Sequence, residues 1–225
     1  MIPMCNLYEH RVSISEASET LRQIGLELDA KSRARNYEPD YTGADSDGPV
    51  ILSDGNTASV ETMRWGFPGI PPKDEKKRPK PITNIRNLNS GWWKNVNGEF
   101  LREPEFRCLV PFHRFAEPDK VNGGNAWFRT TVAEPSFFAG IWRPWEGERL
   151  KSVEGRKRRQ WLPDDWRLYA FMTTEPNEVV APIHPKAMPV ILTDPDECAE
   201  WLSGGADSLR LQRPYPADQM ELMER

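Results

Sequence analysis

The sequence predicts a single α+β domain dominated by short strands. Three observations lead there. Runs of β-branched and aromatic residues recur through the middle of the chain, 21 prolines break it into short elements, and only two segments carry helix signals with clear ends. At 225 residues, with 38% apolar and 28% charged side chains, the chain is long enough to bury a substantial core. No internal repeat and no interdomain linker is visible, so residues 1–225 read as one domain, with 206–225 as a C-terminal tail.

The elements follow in order. Leu7-Tyr8 opens as a strand. Ser13 with Glu16 has the form of a capping box, and Leu21, Ile24 and Leu28 recur at helical spacing, which predicts a helix from Ser13 to Leu28. Residues Asn36 to Gly48 read as loop. Val50–Leu52 and Val60–Trp65 are strands joined at Asp54-Gly55-Asn56, a strong hairpin signal. Gly66–Lys80 is a proline-broken basic loop whose length suggests function. A weak helix is expected in Asn84–Trp93. Arg107–Pro111, Trp127–Val132, Phe137–Trp142 and Leu168–Met172 read as strands, with Glu146–Pro163 as an exposed hairpin tip. A short helix is expected from Pro176. Val190–Leu192 is a strand, and Asp194-Pro195 opens a helix to Leu202, stopped by Gly204-Gly205.

Composition narrows the function classes. No apolar run is long enough for a membrane span, and no secretory signal is visible at the N-terminus. Three scattered cysteines, Cys5, Cys108 and Cys198, do not make a disulfide framework, so a reduced, cytoplasmic protein is expected. A net charge of −4 disfavours nucleic-acid binding by overall charge. Two local clusters depart from that average: Lys73, Lys76, Lys77, Arg78 and Lys80, and the run Arg156–Arg159. Each either attracts phosphates or is a solvated loop. Spacings for a metal site, a nucleotide-binding loop or a serine-hydrolase elbow are absent, so no metal and no cofactor is expected.

What remains is a set of polar residues interrupting apolar runs. His184 stands before a buried-looking strand, as a packing residue or a catalyst. Glu117 ends the run from Val110 to Ala116, either half-buried and suited to proton transfer or an exposed turn acid. Asn84 and Arg86 share one face if their segment is extended. Cys5 matters only under one condition. As the first residue it carries a thiol and a free α-amine two carbons apart, a pair that captures an aldehyde as an imine and then as a five-membered ring.

Together the segments Met4-Cys5-Asn6-Leu7-Tyr8, Met63-Arg64-Trp65-Gly66, Asn84-Ile85-Arg86, Arg107 to Pro111 with Phe115-Ala116-Glu117, Ala139-Gly140-Ile141-Trp142, Thr173 to Asn177 and Ala181 to His184 with Met188 to Leu192 resemble, in order, the SOS response associated peptidase (SRAP) family. The resemblance spans Cys5 to about Leu202. It implies a distorted β-barrel with flanking helices. It also implies covalent capture of abasic sites in single-stranded DNA through an N-terminal cysteine, as a thiazolidine crosslink, by a monomer, without membrane association and located in the cytoplasm or at the nucleoid. Carried over by motif, Cys5 would be the nucleophile and Asn84 would orient it. Glu117 would relay protons for the α-amine, and His184 would protonate the sugar oxygen or the imine. Arg86 would hold a phosphate and Trp65 would border the DNA path.

Departures from the family pattern accompany the match. Met1-Ile2-Pro3 precede Met4-Cys5, so either translation starts at Met4 or the extension is removed, self-cleavage being one route. His184-Pro185-Lys186-Ala187 is one residue longer than usual, with Lys186 as a point charge in place of a phosphate-binding arginine. Leu7 stands where many members carry an arginine. A cysteine peptidase using Cys5 and His184, and a noncatalytic DNA-binding module, are the competing readings.

Overall fold

The computed structural model describes residues 7–11, 14–33, 40–74, 78–132 and 136–224. Cys5, the Ser13 cap, Lys76 and Lys77 lie outside the described residues. In chain order the elements are β1 (Leu7–His10), α1 (Ile14–Gln23), β2 (Glu27–Leu28), α2 (Ala30–Arg33), β3 (Asp40–Gly43), β4 (Asp47–Ser53), β5 (Thr57–Trp65), β6 (Asn84–Ile85), α3 (Gly98–Arg102), β7 (Arg107–Phe112), β8 (Arg114–Pro118), β9 (Asn125–Thr130), β10 (Ser136–Lys151), β11 (Gln160–Thr174), β12 (Met188–Pro189), β13 (Ile191–Leu192), α4 (Pro195–Ser203) and β14 (Met220–Leu222).

Five strands close into a barrel in the order β11-β10-β7-β4-β5. The ring is completed by the parallel pairing of β5 with β11, where Arg64 faces Leu168 and Trp65 faces Tyr169. The β4–β5 hairpin forms where its turn residues predict. Gly55 takes a positive φ of 95°, and the Asp54 carboxylate accepts from the Asn56 and Thr57 amides at 2.9 and 2.7 Å. A second, five-stranded sheet in the order β14-β9-β8-β1-β3 packs beside the barrel.

Strand alternation divides the interior. From β7, β10 and β11, one set (Leu109, Phe137, Ala139, Ile141, Leu168, Ala170, Met172) joins Leu21 of α1 and Trp201 of α4. The alternate set (Cys108, Val110, Phe138, Tyr169, Phe171) joins Tyr8, Phe115 and Phe128 of the second sheet. That cluster is aromatic: Phe112 and Phe138 stack with ring centroids 3.9 Å apart, and Phe171 stacks on Trp65 at 5.0 Å. Burial pushes the Cys108 and Cys198 thiols up, so both are inert packing groups.

Several expectations are corrected. The first helix ends at Gln23, because Gly25 adopts φ 78° and turns the chain so that Leu28 enters β2 beside β5. Within the expected Asn36–Gly48 loop, Asp40–Gly43 is a strand paired with β1. Residues 84–93 hold a two-residue strand, and a π-helical turn begins only at Trp92. Strand pairing runs far into the expected tip, from Gly140↔Phe171 to Lys151↔Gln160, leaving only 152–159 as the turn. From Pro176 the chain forms hydrogen-bonded turns, not a helix. The segment expected as a tail contributes β14, which pairs with β9. The helix after Asp194 forms as predicted, capped by that carboxylate on the Asp196 and Glu197 amides.

Candidate active site

Glu117 is the fourth residue of β8, the strand that pairs with β1 through Leu7↔Ala116 and Tyr8↔Phe115. Its neighbours Phe115 and Ala116 are fully buried, and the carboxylate goes with them: Glu117 is 0% exposed. Burial of an acid is costly unless it is paired or hydrogen-bonded. The expectation of a half-buried or exposed turn acid is therefore replaced by a fully buried carboxylate.

Its partner is His184, 2% exposed, whose Nδ1 lies 3.9 Å from Glu117 Oε2. The same ring nitrogen is held by the backbone. Nδ1 is 2.8 Å from the Ala187 carbonyl, which can only accept, so the neutral imidazole carries its proton on Nδ1. Nε2 then presents a lone pair, and among the described residues this buried atom has no hydrogen-bond partner. Although 67 positions apart in sequence, the acid and the histidine are thus brought into one buried pair with a defined tautomer.

The segment carrying His184 is built by Asn177. This side chain accepts from the Val179 and Val180 amides at 3.2 and 3.0 Å and donates to the Tyr215 carbonyl at 2.9 Å. The Val180 carbonyl in turn accepts from the His184 amide at 2.8 Å. Asn177 was part of a recognised motif, but no role was assigned to it from sequence. Its position just after Pro176 at the head of a turn is the signal that pointed to it.

Asn84 enters on β6, which lies parallel to β11 with Asn84 opposite Phe171. Its amide donates to Thr83 Oγ1 at 2.8 Å. Arg86, two residues on, is exposed, and its backbone is held by Gln212, which donates to the Arg86 and Thr173 carbonyls at 2.9 and 2.8 Å. The Glu175 carboxyl is held below its usual range by its own amide and the Thr174 hydroxyl, with a smaller effect from nearby Arg86. Lys186 is exposed on the His184 segment. These placements leave Arg86 and Lys186 accessible to an anionic ligand.

Trp65 is not accessible, and its expected place beside DNA is corrected. It is 0% exposed, stacked on Phe171 and set edge-on to Tyr8, with its indole N–H donated to the Thr83 carbonyl at 3.1 Å. Its ring faces are spent in the core. Cys5 lies outside the described residues. No group of three metal-ligating side chains suited to a metal ion is present among the described residues. A cleft of about 410 Å³ between Ile24, Ser53, Pro104 and Leu202 contains none of these site residues.

Three solved structures share the architecture. A protein from Bordetella bronchiseptica is 22% identical, with a TM-score of 0.63, over 98% of this chain and 100% of that one. A protein from Bacteroides thetaiotaomicron is 19% identical, with a TM-score of 0.66, over 96% and 92%. A phage-related protein from Bordetella bronchiseptica is 15% identical, with a TM-score of 0.63, over 97% and 93%. At these identities the likeness speaks for the fold alone. No curated protein matches the chain. The family model described as SOS response associated peptidase matches residues 4–224, nearly the whole chain. The chain belongs to the SRAP family.

Proposed function

We propose that this protein captures abasic sites in single-stranded DNA covalently, through Cys5 as the N-terminal residue. The observation that carries the reading is the buried Glu117–His184 pair, whose acid lies on the strand next to β1. Cys5 is two residues before Leu7, so covalent geometry keeps it within about 7 Å of that strand end. Leu7 faces Ala116, the neighbour of Glu117.

The chemistry fits such a pair. An α-amine has a pKa of about 7.7–8.0, so a useful fraction is neutral at pH 7. It attacks the ring-opened aldehyde of the abasic sugar, forming a C–N bond. The carbinolamine then loses its hydroxyl as water to give the imine. The Cys5 sulfur adds to the imine carbon, and the thiol proton ends on the ring nitrogen. Glu117 is suited to take a proton from the amine, and His184 Nε2 to accept a proton on its lone pair from the addition intermediate and return it to the departing oxygen. Arg86 and Lys186 supply positive charge for the phosphates flanking the site.

The test is a denaturing gel of protein mixed with abasic single-stranded DNA. A heat-resistant shifted band is expected, absent with Cys5→Ala and formed about 10²–10⁴-fold more slowly with Glu117→Gln. A band of undiminished strength with Cys5→Ala refutes the reading. A cysteine-peptidase reading, suggested by the family name, needs no free α-amine. The intact mass of Cys5→Ala separates the two: retention of residues 1–4 only in that variant indicates self-cleavage at Cys5.

A further inference from the structure

Two basic segments set apart in the sequence meet on the β10–β11 ribbon, outside the Glu117–His184 site. The ribbon is anchored by buried cations. Arg149 donates to the Gly66 carbonyl at 2.7 Å and pairs with Asp45 at 3.1 Å, and Arg64 donates to the Leu150 carbonyl at 3.0 Å. Beyond these anchors stands the turn 152–159. It is closed by the Arg156 amide on the Val153 carbonyl at 3.0 Å, and Gly155 at φ 75° has open space around it. Arg156, Lys157, Arg158 and Arg159 are all exposed, opposed within the turn only by Glu154. The basic loop joins through Arg78, which pairs with Glu148 at 2.9 Å and lies 5.1 Å over the Trp161 ring. Lys73 and Lys80 of that loop are exposed as well.

We propose that this ribbon end, joined by Arg78, forms a binding surface for the sugar-phosphate backbone of nucleic acid. A run of like charges in one turn repels itself, and a polyanion relieves that repulsion. Cations already lie against the ribbon's tryptophans: Arg64 and Lys151 at 5.0 and 5.7 Å from Trp166, Arg149 at 5.0 Å from Trp145, and Arg78 at 5.1 Å from Trp161. Contact falls to the cations, so binding is independent of base sequence. A lipid surface fits less well, because Val153 is the only large apolar residue in the turn and it is partly buried.

This surface does not depend on the capture reaction, so its test uses Cys5→Ala protein with DNA that holds no abasic site. Affinity for a short single strand and for a duplex of equal length is measured by fluorescence anisotropy between about 50 and 200 mM salt. The variant R156Q/K157Q/R158Q is expected to flatten the slope of log affinity against log salt by about 2–3 and to weaken binding roughly tenfold or more. Lys157→Gln alone is expected to flatten it by about 1, and serves if the triple variant loses its circular-dichroism signature. A larger loss on one DNA form supports the proposal and identifies which form the ribbon holds. An unchanged slope on both forms overturns it. So does loss of binding to phosphatidylserine vesicles with DNA affinity unchanged.

Discussion

Asn177→Ala tests whether the His184 segment is held by a single side chain. The substitution removes the hydrogen bonds accepted from the Val179 and Val180 amides and the one donated to the Tyr215 carbonyl, besides a weak one to the Met220 sulfur at 3.7 Å. Each of the first three is worth about 1 kcal/mol net, and more where the abandoned partner stays buried. Val180 is fully buried, whereas Val179 is half-buried and its amide can rehydrate. Two full losses and one partial loss give about 2–3 kcal/mol. For a domain of this size that lowers Tm by roughly 5–10 °C. The same change frees the turn in which the Val180 carbonyl holds the His184 amide. Amide exchange at Val180 and His184 is therefore expected to speed up more than exchange in the barrel strands, and DNA capture to slow at saturating substrate. Calorimetry and hydrogen exchange on the purified variant provide the measurement. A Tm within about a degree of the parent, with His184 protection intact, refutes the argument.

Gly66→Ala is expected to destabilise the fold by about 2 kcal/mol or more in a urea melt. Its φ of 120° disfavours any side chain, and a Cβ there would stand 2.6 Å from Pro81. Glu9→Gln is expected to cost stability in a pH-dependent way. Burial raises the Glu9 pKa, but bonds from Arg11 and Arg114 outweigh burial and leave it lowered from 4.5. A lowered folded pKa means that the contribution is complete above the unfolded value and is lost as pH falls through the folded one. Parent and variant should thus differ at pH 7 and converge as pH falls through the lowered folded value in thermal melts. An equal difference at both pH values would contradict that assignment.

Legibility from sequence followed the range of the interaction that decides each element. Helix α4 was readable because its start and stop are written locally, in Asp194-Pro195 and Gly204-Gly205. The β4–β5 hairpin was readable from Asp54-Gly55-Asn56. Residues Asp40–Gly43 looked like loop because aspartate and glycine are poor strand formers. They become a strand only because β1 offers them a partner, and local composition cannot report that. β14 was missed for the same reason, being defined by its pairing with β9. In the site, Glu117 and His184 could be named from their motifs, while their 3.9 Å approach is a product of the whole fold. Trp65 was misplaced because a tryptophan's letter does not say whether its ring meets solvent. Its neighbours Tyr8 and Phe171 come from distant strands.

The place of β1 in its sheet has a consequence for how the protein is made. β1 lies between β3 and β8, so it is an inner strand whose two neighbours are synthesised after it. β3 follows within some thirty residues, but Arg114, which faces Glu9, comes 105 positions later. At about 5–20 residues per second, the ribosome takes roughly 5–20 s to deliver that second neighbour. During this interval β1 has at most one of its two neighbours, and the backbone groups of its other edge stay open to solvent. β1 is thus an edge strand for that time, and it becomes an inner one only when the segment that carries Glu117 arrives beside it.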